Sequence, residues 1–241
     1  MDLFTPIVPP DKLHQNFTRT LDPTSAGVRD VLSQWTEGFE DRDGKFVREF
    51  QTTYNSSFWE LYLFALLKQL GIAVDFSFDA PDFVGRDHLF AIEAVIASHA
   101  QGDVPEWKKT IEGIIDKDTG TAYAQSIIRL ANALMNKSDA FLKRYVALPH
   151  MKGRSYIVAI SNYGTQDFNM IGDVPMQWLL YDHFDLGAVV KPNGAKIELG
   201  WFKDNRFAHI SAVMYSALAT FGKARALSVD EGEYVFEAIR I

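Results

Sequence analysis

The chain has 241 residues, 47% of them hydrophobic and 23% charged, a balance that excludes disordered and fibrous proteins. Its formal net charge of −7 argues against indiscriminate binding to nucleic acid, which is held mainly through Lys and Arg, and leaves room for a local basic surface. There is no cysteine, so disulfides and thiolate metal sites are excluded.

No apolar run approaches the roughly 20 residues of a membrane span. Met1-Asp2-Leu3-Phe4 lacks the basic region and apolar core of a signal peptide. A cytoplasmic protein without membrane association is the expectation. Residues 1 to 22 carry Pro6, Pro9 and Pro10 and few periodic apolar residues, and read as an extended lead-in. Asp22-Pro23-Thr24-Ser25 then offers a helix start, followed by Val28, Val31, Leu32 and Trp35 at helical spacing. The polar stretch from Glu37 to Lys45 reads as a loop.

Asn55-Ser56-Ser57 begins a sharper helix whose apolar residues run Phe58, Leu61, Tyr62, Ala65, Leu66 and Leu70, with Gly71 ending it. Ile72, Val74, Phe76 and Phe78 alternate as a strand would, and Pro81-Asp82-Phe83-Val84 lies at its end. After a turn at Gly85-Arg86-Asp87, His88 to Ala97 reads as a second, more apolar strand near the middle of a sheet. Residues 99 to 120 are polar, with a short helix around Trp107 to Ile115. A long helix from Tyr123 to about Tyr145 precedes a buried strand at Tyr156–Ile160. Next come a helix from Val174 to Phe184, a hairpin from Ala188 to Gly200 across Asn193-Gly194, and a strand from His209 to Tyr215. Ala219 to Arg225 reads as a solvated loop with clustered basic groups. Helix, strand, strand, helix, strand in succession implies mixed α/β layers.

Three carboxylates stand out. Glu93 interrupts the apolar run Leu89-Phe90-Ala91-Ile92 and Ala94-Val95-Ile96-Ala97, where a charge is costly unless it is paired or bound to metal. Glu60 presents the same anomaly between Phe58-Trp59 and Leu61-Tyr62. Asp82 precedes the turn, so strands pairing across it would bring Asp82 beside Glu93. Two hard oxygen ligands suit Mg²⁺ or Mn²⁺, which bind through one or two carboxylates plus phosphate and water. The plain alternatives are a turn aspartate, a solvent-facing strand glutamate and a helix glutamate paired with a cation.

These pieces resemble the PD-(D/E)XK nuclease superfamily: an acidic residue on a helix (Glu60), a strand ending in Pro-Asp (Pro81-Asp82), then a strand carrying a glutamate (Glu93). The resemblance covers residues 54 to 100 well and 123 to 160 loosely. Val95 stands where the superfamily has its lysine, two residues after the glutamate. Some members carry that lysine on the following helix, where the candidate is Lys137, on a stripe with Ile127, Leu130, Leu134 and Phe141. The alternative for Lys137 is an amine that snorkels to water. Gln125 and Arg129, one turn apart on that helix, are candidates for contacting DNA phosphates or supporting the site.

The resemblance implies a restriction endonuclease-like mixed β-sheet flanked by helices, with additional C-terminal α+β elements. It divides the chain into an N-terminal extension with a helix (1–50), a nuclease-like core (51–165), and hairpin and helix elements packed on the same domain (166–241). The implied activity is Mg²⁺- or Mn²⁺-dependent hydrolysis of DNA, and the implied setting is restriction or phage defence. Glu60, Asp82, Glu93 and Lys137 would be catalytic, and the three carboxylates would serve as metal ligands. DNA is the implied partner, with a homodimer or partner protein in addition. The competing expectation is a nuclease-like fold without turnover that binds nucleic acid or protein. No zinc site is expected, because the six histidines show no ligand spacing, and the Asp182-His183 pair reads as a helix-end polar cluster.

Overall fold

Short polar segments with a single apolar anchor show no period in sequence, and the lead-in is a case in point. The structure, a computed structural model, describes residues 1–115 and 118–228. In place of an extended lead-in, Gln15–Thr20 forms a helix (α1), started by His14, whose ring nitrogen Nδ1 accepts the Asn16 N–H at 3.1 Å. Only Phe17 on this helix is a buried apolar residue, so tertiary contacts rather than periodicity fix the segment. Ahead of it, the fully buried Gln51 side chain donates to the carbonyls of Leu3 (3.1 Å) and Thr5 (2.8 Å) and accepts the Ile7 N–H (2.9 Å).

Ala26–Trp35 (α2) follows the Asp22-Pro23 start, and Phe46–Thr52 (α3) is a helix the sequence did not announce. Tyr54–Gln69 (α4) ends before Gly71, which takes the left-handed conformation that glycine adopts cheaply. The expected strand from Ile72 to Phe78 is absent, apart from an isolated bridge at Val74. Its alternating apolar residues serve other purposes: Phe76 packs on Phe39 and Phe64, and Phe78 stacks on His150 with ring centroids 4.0 Å apart.

The strands are Phe83–Val84 (β1), Phe90–Ser98 (β2) and Ser155–Tyr163 (β3). Between β2 and β3 lie a short helix, Ile111–Ile115 (α5), and a long one, Thr119–Lys143 (α6). The Asp118 carboxylate accepts the Thr121 N–H at 2.9 Å and starts α6, an ordinary N-cap. Val174–Tyr181 (α7) stops earlier than the sequence pattern, because Asp182 turns left-handed. Ala188–Val190 (β4) and Lys196–Glu198 (β5) form the hairpin around Asn193-Gly194. Ala212–Ser216 (β6) completes the strands, and Phe221–Leu227 (α8) is helical where a loop was expected. In α8 Arg225 is exposed, Lys223 is half-buried and Ala224 is fully buried.

The chain divides into two compact units at places other than the sequence boundaries near 50 and 165. One comprises Met1–Phe76 and, of the described residues that follow, those from Leu218 to Ser228; the other comprises Ser77–Ala217. The expected 166–241 segment is thus split, and its residues 229–241 lie outside the described residues. The first unit is built from α1–α4 and α8 around a run of aromatic contacts that links Phe17, Phe50, Tyr54, Phe58 and Trp35.

The second unit carries a four-stranded mixed sheet in the order β1-β2-β3-β6, flanked by helices. β1 and β2 are antiparallel; β2, β3 and β6 are parallel. Parallel neighbours need a crossover, which α6 supplies between β2 and β3. Leu130, Leu134, Val158 and Ile160 are fully buried in the core that joins α6 to the sheet. Among the described residues, no helix is long and apolar enough to cross a membrane.

Candidate functional site

The turn between β1 and β2 brings two carboxylates together. Phe83 pairs with Ile92 and Val84 with Ala91, so the next antiparallel step sets Asp82 opposite Glu93. Asp82 does not continue the backbone ladder. Its Oδ2 accepts the Ala94 N–H at 2.7 Å instead, so the carboxylate side chain serves the neighbouring strand where β1 begins.

Glu93 lies in the middle of β2, beside Val158 of β3, and is only 4% exposed. A carboxylate buried to that degree needs compensation. It comes from α6: Lys137 Nζ donates to Glu93 Oε1 at 2.6 Å. The Lys137 side chain is 26% exposed, so its ammonium sits at the margin of the core. Residues 93 and 95 share a face of β2 because side chains alternate along a strand. Val95 packs into the core on that face, and the ammonium reaches the same face from the helix above.

Two tyrosines complete the surroundings, and the sequence reading missed both. Tyr145 follows α6 in a short 3-10 turn, is buried, and donates its hydroxyl to Glu93 Oε1 at 3.1 Å. Tyr156 on β3 donates to the carbonyl of Lys137 at 3.2 Å. Burial, then the adjacent Glu93 charge, raises both hydroxyls far above the ordinary tyrosine range, so they remain donors at any working pH. Asp82 adds to the negative field at each. The signal that could have found Tyr145 is its place one turn beyond the inward stripe of α6, eight residues after Lys137.

Gln125 and Arg129 lie two or more turns nearer the start of α6. They line a cleft of about 390 Å³ with Ala100 beyond β2 and Gly164 and Thr165 beyond β3, at the carboxyl ends of the parallel strands. Ligands of open α/β sheets gather at such ends. Arg129 is eight residues from Lys137, roughly 12 Å along the helix axis at 1.5 Å per residue. Its stem runs against Gly164, where an added Cβ would lie 2.8 Å from Arg129 Cγ and 2.9 Å from its Cβ. Arg129 Cβ is fixed to the helix and cannot yield as a side-chain tip could. Gly164→Ala is therefore expected to destabilise the protein by about 1–3 kcal/mol, as overpacking does. Chemical denaturation checks this, and an unchanged midpoint would mean that loop or helix shifts freely.

Glu60 is half-buried on α4, which belongs to the other compact unit. Its supporting role rests on the sequence resemblance alone. Asp182 is a structural cap: its carboxylate accepts the N–H groups of Leu186 (2.9 Å) and Gly187 (3.1 Å). His209, whose pKa burial lowers, sits 2.7 Å from Ser138 Oγ. Among the described residues no group of three His, Asp or Glu side chains assembles as a metal cluster. A divalent ion here would have two carboxylates, with phosphate and water filling the remaining positions, a donor set that suits Mg²⁺.

Comparison with protein-family models, curated proteins and solved structures finds no match for this chain.

Proposed function

We propose that the protein is a Mg²⁺- or Mn²⁺-dependent nuclease that hydrolyses DNA. The observation that carries this reading is the meeting of Asp82, Glu93 and Lys137, from the start of β1, the middle of β2 and the crossover helix, at one place in the second unit. The PD-(D/E)XK resemblance calls for two carboxylates and a lysine, and Lys137 offers an ammonium on the face where Val95 cannot. The donor set fits a divalent ion: Glu93 Oε1 is taken by Lys137 and Tyr145, while Oε2 accepts no hydrogen bond among the described residues. Such an ion supplies charge neutralisation at the scissile phosphate and lowers the pKa of a water molecule.

The chain's own residues do the rest. Asp82 and Glu93 hold the ion and set its position against the sheet. Lys137 carries positive charge to the point where negative charge builds up on the phosphate, the electrostatic form of catalysis. Gln125 and Arg129 give the strand a second hold farther along α6, so a chain of net charge −7 binds DNA through a local surface. A restriction or phage-defence setting follows from the resemblance only.

One observation favours a second reading. Glu93 Oε1 already has a lysine and a tyrosine, an arrangement that also suits a structural ion pair, as expected of a nuclease-like module that binds nucleic acid or protein without turnover. The two separate in one experiment. Supercoiled plasmid and a single-stranded oligonucleotide are incubated with Mn²⁺, and the melting temperature is followed with and without the ion. The nuclease reading expects cutting, together with a Mn²⁺-induced rise in melting temperature that Glu93→Gln loses. A rise without cutting would favour the module; neither would remove the metal role.

A further inference from the structure

We infer, on the nuclease reading above, that Tyr145 is a positioning residue that fixes which oxygen of Glu93 a divalent cation meets. The two oxygens of a carboxylate are equivalent until donors choose between them, and rotation about the last torsion of glutamate is soft. Here both donors choose the same atom: Lys137 Nζ at 2.6 Å and Tyr145 Oη at 3.1 Å both reach Oε1. They come from different places, one from within α6 and one from the turn that follows it. A carboxylate held at one oxygen from two directions has lost its freedom to rotate. Oε2 accepts no hydrogen bond among the described residues, and Asp82 stands opposite Glu93 in the register of β1 and β2.

Tyr145 is itself held in place. Its ring is buried, meets Tyr156 edge-on with centroids 6.1 Å apart, and lies under the Arg144 guanidinium at 5.2 Å. Tyr156 in turn bonds the Lys137 carbonyl, so the tyrosine pair ties together the end of α6 that delivers the ammonium. The Tyr145 hydroxyl meets a carboxylate oxygen, which only accepts, so in this contact it is the donor. Partners that orient a metal ligand from behind matter almost as much as the ligand itself: losing one costs about 10- to 100-fold in metal affinity.

The test uses Mn²⁺ alone and Tyr145→Phe, which removes one hydroxyl and keeps the ring. Tyr215→Phe is the control, since Tyr215 gives its half-buried hydroxyl to the Gly172 carbonyl (2.8 Å) and to neither carboxylate. The Mn²⁺ concentration giving half of the melting-temperature rise is measured without DNA, and that for half-maximal cleavage with it. Tyr145→Phe is expected to need about tenfold more Mn²⁺ or higher in both assays, with its cleavage at saturating ion recovering toward the wild type and Tyr215→Phe behaving as wild type. Equal half-saturation in Tyr145→Phe and wild type would overturn the positioning role and leave the nuclease reading standing. No response of the wild type to Mn²⁺ would overturn both.

Discussion

Lys137→Met is expected to lower stability by about 3 kcal/mol at neutral pH and to abolish cleavage. Methionine fills nearly the volume of lysine, so the loss is not one of packing. What it removes is, among the described residues, the only cation hydrogen-bonded to Glu93, and Glu93 is 4% exposed. Breaking the buried pair at one end leaves the Glu93 charge with the neutral Tyr145 hydroxyl and no cation, which costs more than the pair contributes when intact. The partial exposure of Lys137 sets the effect at the lower end of the usual range. Removing both charges, as in Glu93→Gln with Lys137→Met, should recover most of the stability and none of the activity. Urea denaturation of the four proteins in a double-mutant cycle measures the coupling. A midpoint for Lys137→Met equal to that of the wild type would mean that solvent already screens the pair.

Asp82 separates structure from chemistry by a different route. Asp82→Asn keeps an oxygen that can accept the Ala94 N–H, whereas Asp82→Ala leaves that strand donor without its partner. An unsatisfied donor costs about 1–3 kcal/mol, so Asp82→Ala should be destabilised by that amount and Asp82→Asn scarcely at all. Cleavage should fall in both by a factor on the order of 10² to 10³, the typical effect of removing one preorganised electrostatic group. Plasmid cleavage with Mn²⁺, set beside thermal melting, reads the two effects independently. Full cleavage by Asp82→Asn would reduce the aspartate to a strand-edge cap.

Strong local signals made much of this legible in the sequence. Asn193-Gly194 marked the hairpin, Gly71 the end of α4, and the apolar run about Glu93 the central strand. These depend on backbone chemistry or on the period of a long element, which a sequence carries openly. Lys137 was legible for the same reason: α6 is long enough that a cation on its apolar stripe is conspicuous. The failures are of another kind. Ile72, Val74, Phe76 and Phe78 alternate without forming a strand, because each aromatic ring finds its own pocket while the backbone finds no ladder. The segment of α1 and the helix α3 are too short for a period to accumulate, and the Gln51 side chain, not hydrophobic spacing, fastens the residues before them. Tyr145 was hidden because nothing in one sequence says that a tyrosine just past a helix end will meet a glutamate 52 residues earlier.

That long-range meeting has a consequence for the order of assembly. Asp82 reaches Ala94 across 12 residues, a local closure, while Lys137 reaches Glu93 across 44. The difference in loop entropy is under two doublings of length, roughly 1 kcal/mol at about 0.6 kcal/mol per doubling. The larger effect is temporal. On the ribosome both carboxylates emerge before the lysine, and burying β2 during that interval would strand a charge at a cost of several kcal/mol. The acid at its centre is thus expected to delay burial of the most apolar strand of the sheet until α6 brings the lysine, which would leave the nascent hairpin less prone to settle on the first apolar surface it meets.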